Sequence, residues 1–211
     1  MAKEKELDIR KPTGEIHPKS TYILGLDVAR TGKDETALVI LEQLPFNKNI
    51  FISYMETLNT PNLEQAIGRV LYLDKYYNFK RIIVDETGLG AGVSDILKGQ
   101  LGGKVEGVWY TQKIKAEMFH NLKILMLRND EKLYIPDYLK TNKAIVKKMF
   151  YQFLSITQEY KDGDATRLPK ISHESRTHDD IVNALALAAT YFSVRGSKHK
   201  SYPVAGFNKT I

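Results

Sequence analysis

Two short apolar runs, each broken by an aspartate, set the strongest limit on what this chain can fold into. They are "TYILGLDVA" at 21–29 and "KRIIVDE" at 80–86. Neither alternates apolar with polar residues. Runs of this kind suit strands buried on both faces, and such strands need helices above and below their sheet. Asp27 and Asp85 are out of place there. An ionised carboxylate in apolar surroundings is costly unless a cation or hydrogen bonds compensate it.

The remaining elements fit that sheet. "TALVILEQL" and "NIFISYMETL" follow the first run as strands and predict an antiparallel meander of three. "TPNLEQAIGRVLYLDKYYN" has the helical period, with Thr60 as N-cap, Pro61 at the first helical position and Glu64 close behind. After the second apolar run come a helix near 91–100, the strand "KVEGVWY", a helix near 113–128, a short strand "KLYIP" and a helix near 138–153. "SITQEYKDGDATRLPKIS" reads as a hairpin turning at Asp162 and Gly163. "THDDIVNALALAA" opens the last helix. Three strands followed by helix–strand alternation predict an α/β fold, a mixed sheet with helices on both faces. Residues 1–19 and 196–211 are polar and aperiodic and read as tails around one domain at 20–195.

Composition narrows the chemistry. The 211-residue chain is 43% hydrophobic, enough for a sizeable core, and has a formal net charge of +6, which favours a polyanionic partner. It has no cysteine, so disulfides, thiolate metal sites and a cysteine nucleophile are excluded. The first residues carry no apolar signal-peptide core, and "IVNALALAATYF" is too short to span a bilayer.

Alternation puts Asp27 on the face of Ile23 and Gly25. If the two apolar strands run parallel, Asp27 and Asp85 meet at the carboxyl edge of the sheet, where open α/β sheets place ligands. Either aspartate alone reads equally well as the start of a turn. The closing helix adds His178, Asp179 and Asp180, which read either as a capping box begun by Thr177 or as ligands brought to the same edge. Three acidic segments without cysteine suit a hard cation such as Mg²⁺ or Mn²⁺. Asp34 is an accessory candidate or a turn residue, and Glu86 alternates away from Asp85. The glycines of "TGLGAG" recur at every second position, lack dinucleotide-binding spacing, and read as a tight turn.

In this order and at these separations, "GLDVARTGKDETALVIL", "IIVDETGLGAG" and "HDDIVNALALA" resemble the nuclease domain of the bacteriophage terminase large subunit, within the ribonuclease H-like superfamily. The resemblance covers about residues 20–195. It implies a ribonuclease H-like mixed sheet of five strands, the first three antiparallel and the rest parallel. It also implies an endonuclease, dependent on two Mg²⁺ or Mn²⁺ ions, that cuts concatemeric viral DNA during packaging. Asp27 matches the first-strand acid and Asp85 the fourth-strand acid. The third acid is Asp180 or Asp179, with His178 also open. Implied partners are double-stranded DNA, an ATPase motor domain, the portal and the small terminase subunit, in the cytoplasm of an infected bacterium. No G-x-x-x-x-G-K-[ST] is present, so no nucleotide cofactor or ATPase activity is expected, as for an excised domain or a stand-alone relative.

Candidate phosphate contacts are Arg30, Lys33, Lys113, Lys115, Lys161, Arg167 and Lys170, with a further basic group at Lys140, Lys143, Lys147 and Lys148. Nothing resembles a base-reading helix, so binding should be salt-sensitive and weakly specific. The alternatives are a junction resolvase or other ribonuclease H-like nuclease, a non-catalytic DNA-binding or motor-docking module, and a sugar-kinase-like nucleotide site.

Overall fold

The computed structural model describes residues 16–29, 35–58, 62–136, 144–160, 169–174 and 177–192. The run that begins at Thr21 forms β1 (Thr21–Asp27), buried along all but its first residue. β2 (Thr36–Gln43) and β3 (Ile50–Leu58) complete the antiparallel meander. β4 (Arg81–Asp85) lies parallel to β1, and β5 (Val105–Val108) parallel to β4. A two-residue strand, β6 (Leu133–Tyr134), runs parallel to β3 at the far edge. The order is β5-β4-β1-β2-β3-β6. The sheet thus has six strands where five were expected, because "KLYIP" pairs with β3 for two residues. "KVEGVWY" is strand only to Val108.

Side-chain alternation divides the core. Leu24, Leu26, Leu38, Ile40, Ile82 and Val84 face α1 (Leu63–Tyr77) and α2 (Gly90–Leu101). Ile23, Val39, Leu41, Ile83 and Val108 face α3 (Gln112–Leu127), α4 (Ala144–Ser155) and α5 (Asp180–Thr190). β7 (Ile156–Glu159) and β8 (Lys170–His173) pair antiparallel as expected for the hairpin. Its turn at Asp162 and Gly163 and the start of the helix expected from 138 lie outside the described residues. No described helix is long and apolar enough to cross a membrane.

The centre of the fold is α5. Its residues 181–189 are all buried, and its small side chains let it lie directly on β1 and β2 beneath α3 and α4. At Gly25 an added Cβ would stand 1.9 Å from the Ala184 carbonyl oxygen. The glycine of β1 is thus what allows strand and helix backbones to touch.

Two helix starts differ from expectation. At α1 the cap is Asn62, whose side chain accepts from the Glu64 and Gln65 amides, while Thr60 and Pro61 lie outside the described residues. At α5 no capping box forms. Thr177 Oγ1 donates to the Glu174 carbonyl, and Asp179 occupies the cap position without a side-chain hydrogen bond to the helix. The first-turn amides of Ile181 (2.9 Å) and Val182 (3.3 Å) donate instead to Gln152 Oε1 of α4. Gln152→Ala would strand those two buried donors, so it should cost about 2–3 kcal/mol in urea unfolding. A loss within experimental error would mean that water replaces the amide.

Candidate functional site

Because β1 and β4 run parallel with Leu26 opposite Val84, their carboxyl ends carry Asp27 and Asp85 side by side. β2 is antiparallel to β1, with Asp27 opposite Ala37, so its amino end, with Glu35 just before it, lies at the same edge. The closing helix brings Asp179 and Asp180. Asp27, Asp85 and Asp179 are buried. Asp27 is held well above the ordinary carboxylate value of 3.8. Burial contributes most, then the charges of Asp85 and Asp180, with Asp179 adding less. A side-chain hydrogen bond from Asn183 opposes the shift. Separated segments of the chain therefore place four carboxylates within electrostatic reach of one another.

Each acid has its own setting. Asp85 Oδ1 accepts the Thr87 amide at 2.7 Å, and Thr87 Oγ1 accepts the Tyr110 amide, which ties the turn after β4 to the end of β5. That turn contains Gly88 at φ 73° and Gly90, where a Cβ would stand 1.7 Å from the Asp85 carbonyl oxygen. Those two glycines of "TGLGAG" let the chain turn tightly behind Asp85, whereas a Cβ at Gly92 would meet nothing. Asp179 Oδ2 pairs with Lys115 Nζ at 2.8 Å and His173 Nδ1 at 3.3 Å. Burial raises the Asp179 carboxyl, but Lys115 and then His173 outweigh it and hold the group below 3.8. Asp180 Oδ2 accepts the Glu35 amide at 3.4 Å and lies 3.8 Å from His178 Nδ1. The Glu35 carboxylate pairs with Lys148. Glu86 turns to the opposite face, where it meets Ser94 and Lys98 of α2.

Tyr110 OH and Asn183 Oδ1 at this edge have no hydrogen-bond partner among the described residues, and neither does Gln152 Nε2 beside the first turn of α5. Burial first, then Asp27, Asp85 and Asp179, push the Tyr110 phenol up, so it stays a neutral donor. Asn183 spends its amide on Asp27 and leaves its carbonyl oxygen open. Neither residue stood out in the sequence. Asn183 sits four residues after Asp179 on the same helical face, which is the signal that was available.

Of the remaining candidates, Lys115 is engaged by Asp179, and Lys113 and Lys170 are exposed. Arg30, Lys33, Asp34, Lys140, Lys143, Lys161 and Arg167 lie outside the described residues.

The donors fit a hard divalent cation in chemistry: all are oxygens, negative charge is in surplus, and Asn183 Oδ1 is a buried acceptor without a donor. Their present positions do not form a finished cage. Among the described residues, no group of three or more His, Asp or Glu side chains could hold a metal ion as it stands. Asp179 in particular is turned to Lys115 and His173. If a cation binds here, it should stabilise the fold by linkage, by about 2.7 kcal/mol at a hundred times its Kd. Mg²⁺ or Mn²⁺ should accordingly raise the melting temperature of the wild type and leave Asp27→Ala unmoved. An unchanged wild-type melting temperature at millimolar metal would count against the site.

No family model matches the chain, and no curated protein is a significant match. Solved structures do match. The large terminase nuclease of thermophilic phage G20c with bound magnesium is 21% identical, with a TM-score of 0.65 over 83% of this chain and 83% of that one. The large terminase nuclease domain of bacteriophage SPP1 with bound Mn is 22% identical, with a TM-score of 0.53 over 85% of this chain and 93% of that one. The large terminase of thermophilic bacteriophage D6E is 15% identical, with a TM-score of 0.59, and the match covers 84% of this chain but 41% of that one. At these identities the likeness is one of fold. The chain has the fold of terminase large-subunit nuclease domains.

Proposed function

We propose that this chain is a metal-dependent DNA endonuclease that cuts concatemeric viral DNA during genome packaging. The observation that carries the reading is the pair of buried aspartates, Asp27 and Asp85, at adjacent parallel strand ends, faced by Asp179 and Asp180 from α5. The fold match supports it, since that fold occurs in terminase nucleases solved with magnesium and Mn.

In this reading Asp27, Asp85, Asp179 and Asp180 would hold the divalent cations. Bound there, the cations would supply a Lewis acid for the phosphodiester and lower the pKa of water. The chain's own residues prepare the site. Thr87 fixes the Asp85 carboxylate by its amide, and Asn183 orients Asp27. Lys115 and His173 keep Asp179 ionised. Tyr110 offers a buried hydroxyl donor toward the acids. Hydrolysis adds water at phosphorus and releases the 3′ oxygen, leaving a 5′-phosphate and a 3′-hydroxyl. The partners in this reading are duplex DNA, an ATPase motor domain, the portal and the small terminase subunit. The setting is the cytoplasm of an infected bacterium.

Substrate choice tests the packaging role. With Mn²⁺ the protein should cut ordinary linear duplex with little sequence preference. Strong preference for a four-way junction or an RNA–DNA hybrid would move the chain to another branch of nucleases with this fold.

A further inference from the structure

Asp179 stands at the cap position of α5, where an aspartate side chain ordinarily accepts from the first helix amides. Here it accepts from none of them, and the Ile181 and Val182 amides go to Gln152. Its carboxylate turns to α3 instead. Lys115 Nζ lies 2.8 Å from Asp179 Oδ2, and the Lys115 side chain is only 20% exposed. The same ammonium stands 5.8 Å from the centroid of the Phe119 ring, one turn further along α3. Attraction to the ring face adds to the ion pair and helps to hold the ammonium in place. His173 Nδ1 reaches the same oxygen from β8, but at 3.3 Å and from a side chain 39% exposed. Lys115 is thus the nearer and the less exposed partner. The other acids reflect this arrangement. Asp27 feels Asp85 and Asp180 more strongly than it feels Asp179. Among the described residues, no three acidic or histidine side chains are grouped to hold a metal ion together.

A carboxylate paired with an ammonium is already neutralised, and a divalent cation that takes it must displace the ammonium. We infer that Lys115 is a resident counter-ion that holds Asp179 in reserve, so that the acid site gains Asp179 as a metal ligand only by giving up that ion pair. The inference rests on the metal-dependent reading of the site. Lys115 is then a positioning residue, which acts on the reaction through Asp179. In the metal-free protein the pair keeps a buried carboxylate from standing uncompensated beside the other acids. When metal binds, the same pair opposes it. By linkage, the pair weakens metal binding by the factor by which metal weakens the pair. Lys115 therefore stabilises the metal-free fold and lowers affinity for the metal.

The test is isothermal titration calorimetry with Mn²⁺ alone, at one neutral pH and without DNA, together with metal-free melting. Lys115→Met keeps the apolar stem and removes the charge. It should bind Mn²⁺ about tenfold more tightly than the wild type, a coupling of ordinary size between two sites, and melt at a lower temperature without metal. Lys113→Met removes the same charge from an exposed position two residues earlier on α3, and should change neither. The gain should disappear when Lys115→Met is combined with Asp179→Asn, because the pair is already broken there. If Lys115→Met does not fold, Lys115→Gln, which keeps a donor for Asp179, carries the same comparison. Equal Mn²⁺ affinity in the wild type and Lys115→Met would overturn the inference. So would a gain that persists beside Asp179→Asn, since the ammonium would then act on the metal directly. Both results would leave the metal site standing. A wild type that takes up no Mn²⁺ would overturn the site, and the inference with it.

Discussion

Asp27→Asn should yield a protein that is more stable than the wild type without metal at neutral pH, and slower at cutting DNA by on the order of 10³-fold or more. Both effects have one origin. The Asp27 carboxyl is buried and faces the charges of Asp85, Asp180 and Asp179, which raise it well above 3.8. The folded state therefore holds this proton more tightly than the unfolded state does. Stability falls as pH rises from 3.8 through the raised folded value, because the ionised group must then be kept beside its neighbours. Asp179 has the opposite sign. Its folded value is lowered, so its contribution is present above 3.8 and is lost as pH falls below that. In EDTA, melting temperature against pH should decline on the alkaline side for the wild type and be flatter for Asp27→Asn. The amide keeps the shape and the Asn183 neighbourhood but removes the charge that a cation needs. A variant less stable than the wild type across the neutral range would show that something other than repulsion governs Asp27.

Gly25→Ala should be strongly destabilising, by about 3 kcal/mol or more, the upper part of the usual range for overpacking. The new Cβ would lie 1.9 Å from the Ala184 oxygen and 2.8 Å from the Ala188 nitrogen. Both are backbone atoms of a helix, so no rotamer change relieves the clash and α5 must lift from β1. That helix brings Asp179, Asp180 and Asn183 to the site, so metal affinity should fall with stability. Gly68→Ala is the control. Gly68 is exposed in mid-α1 and a Cβ there meets nothing, so alanine should add about 0.5–1 kcal/mol. Urea unfolding of the two variants separates packing from backbone propensity. Equal, small effects would mean that α5 is not seated on β1 as described.

How far the sequence was legible follows from the range of each interaction. The two apolar runs implied a doubly covered sheet, and alternation put Asp27 on the Gly25 face and Glu86 on the opposite side from Asp85. Those inferences need only the period of a strand, which is local. Thr177 shows where locality stops. A threonine three residues ahead of Asp180 matches a capping box, yet the α5 amides go to Gln152, about thirty residues earlier in the chain. A buried glutamine on another helix leaves no local pattern. Pairing of Lys115 with Asp179 and of Lys148 with Glu35 was equally hidden, because each joins segments far apart in the chain. Lysines read as phosphate contacts can turn inward when a buried carboxylate needs a counter-charge, as Lys115 does.

Nicking of supercoiled plasmid tests the central claim most directly. Wild type and Asp85→Ala would be incubated with Mn²⁺, with Mg²⁺ and with EDTA. The account predicts Mn²⁺-dependent nicking and linearisation by the wild type, none in EDTA, and none by the folded Asp85→Ala protein. Cutting by Asp85→Ala at the wild-type rate would contradict it, since the buried aspartates would then have no part in the chemistry.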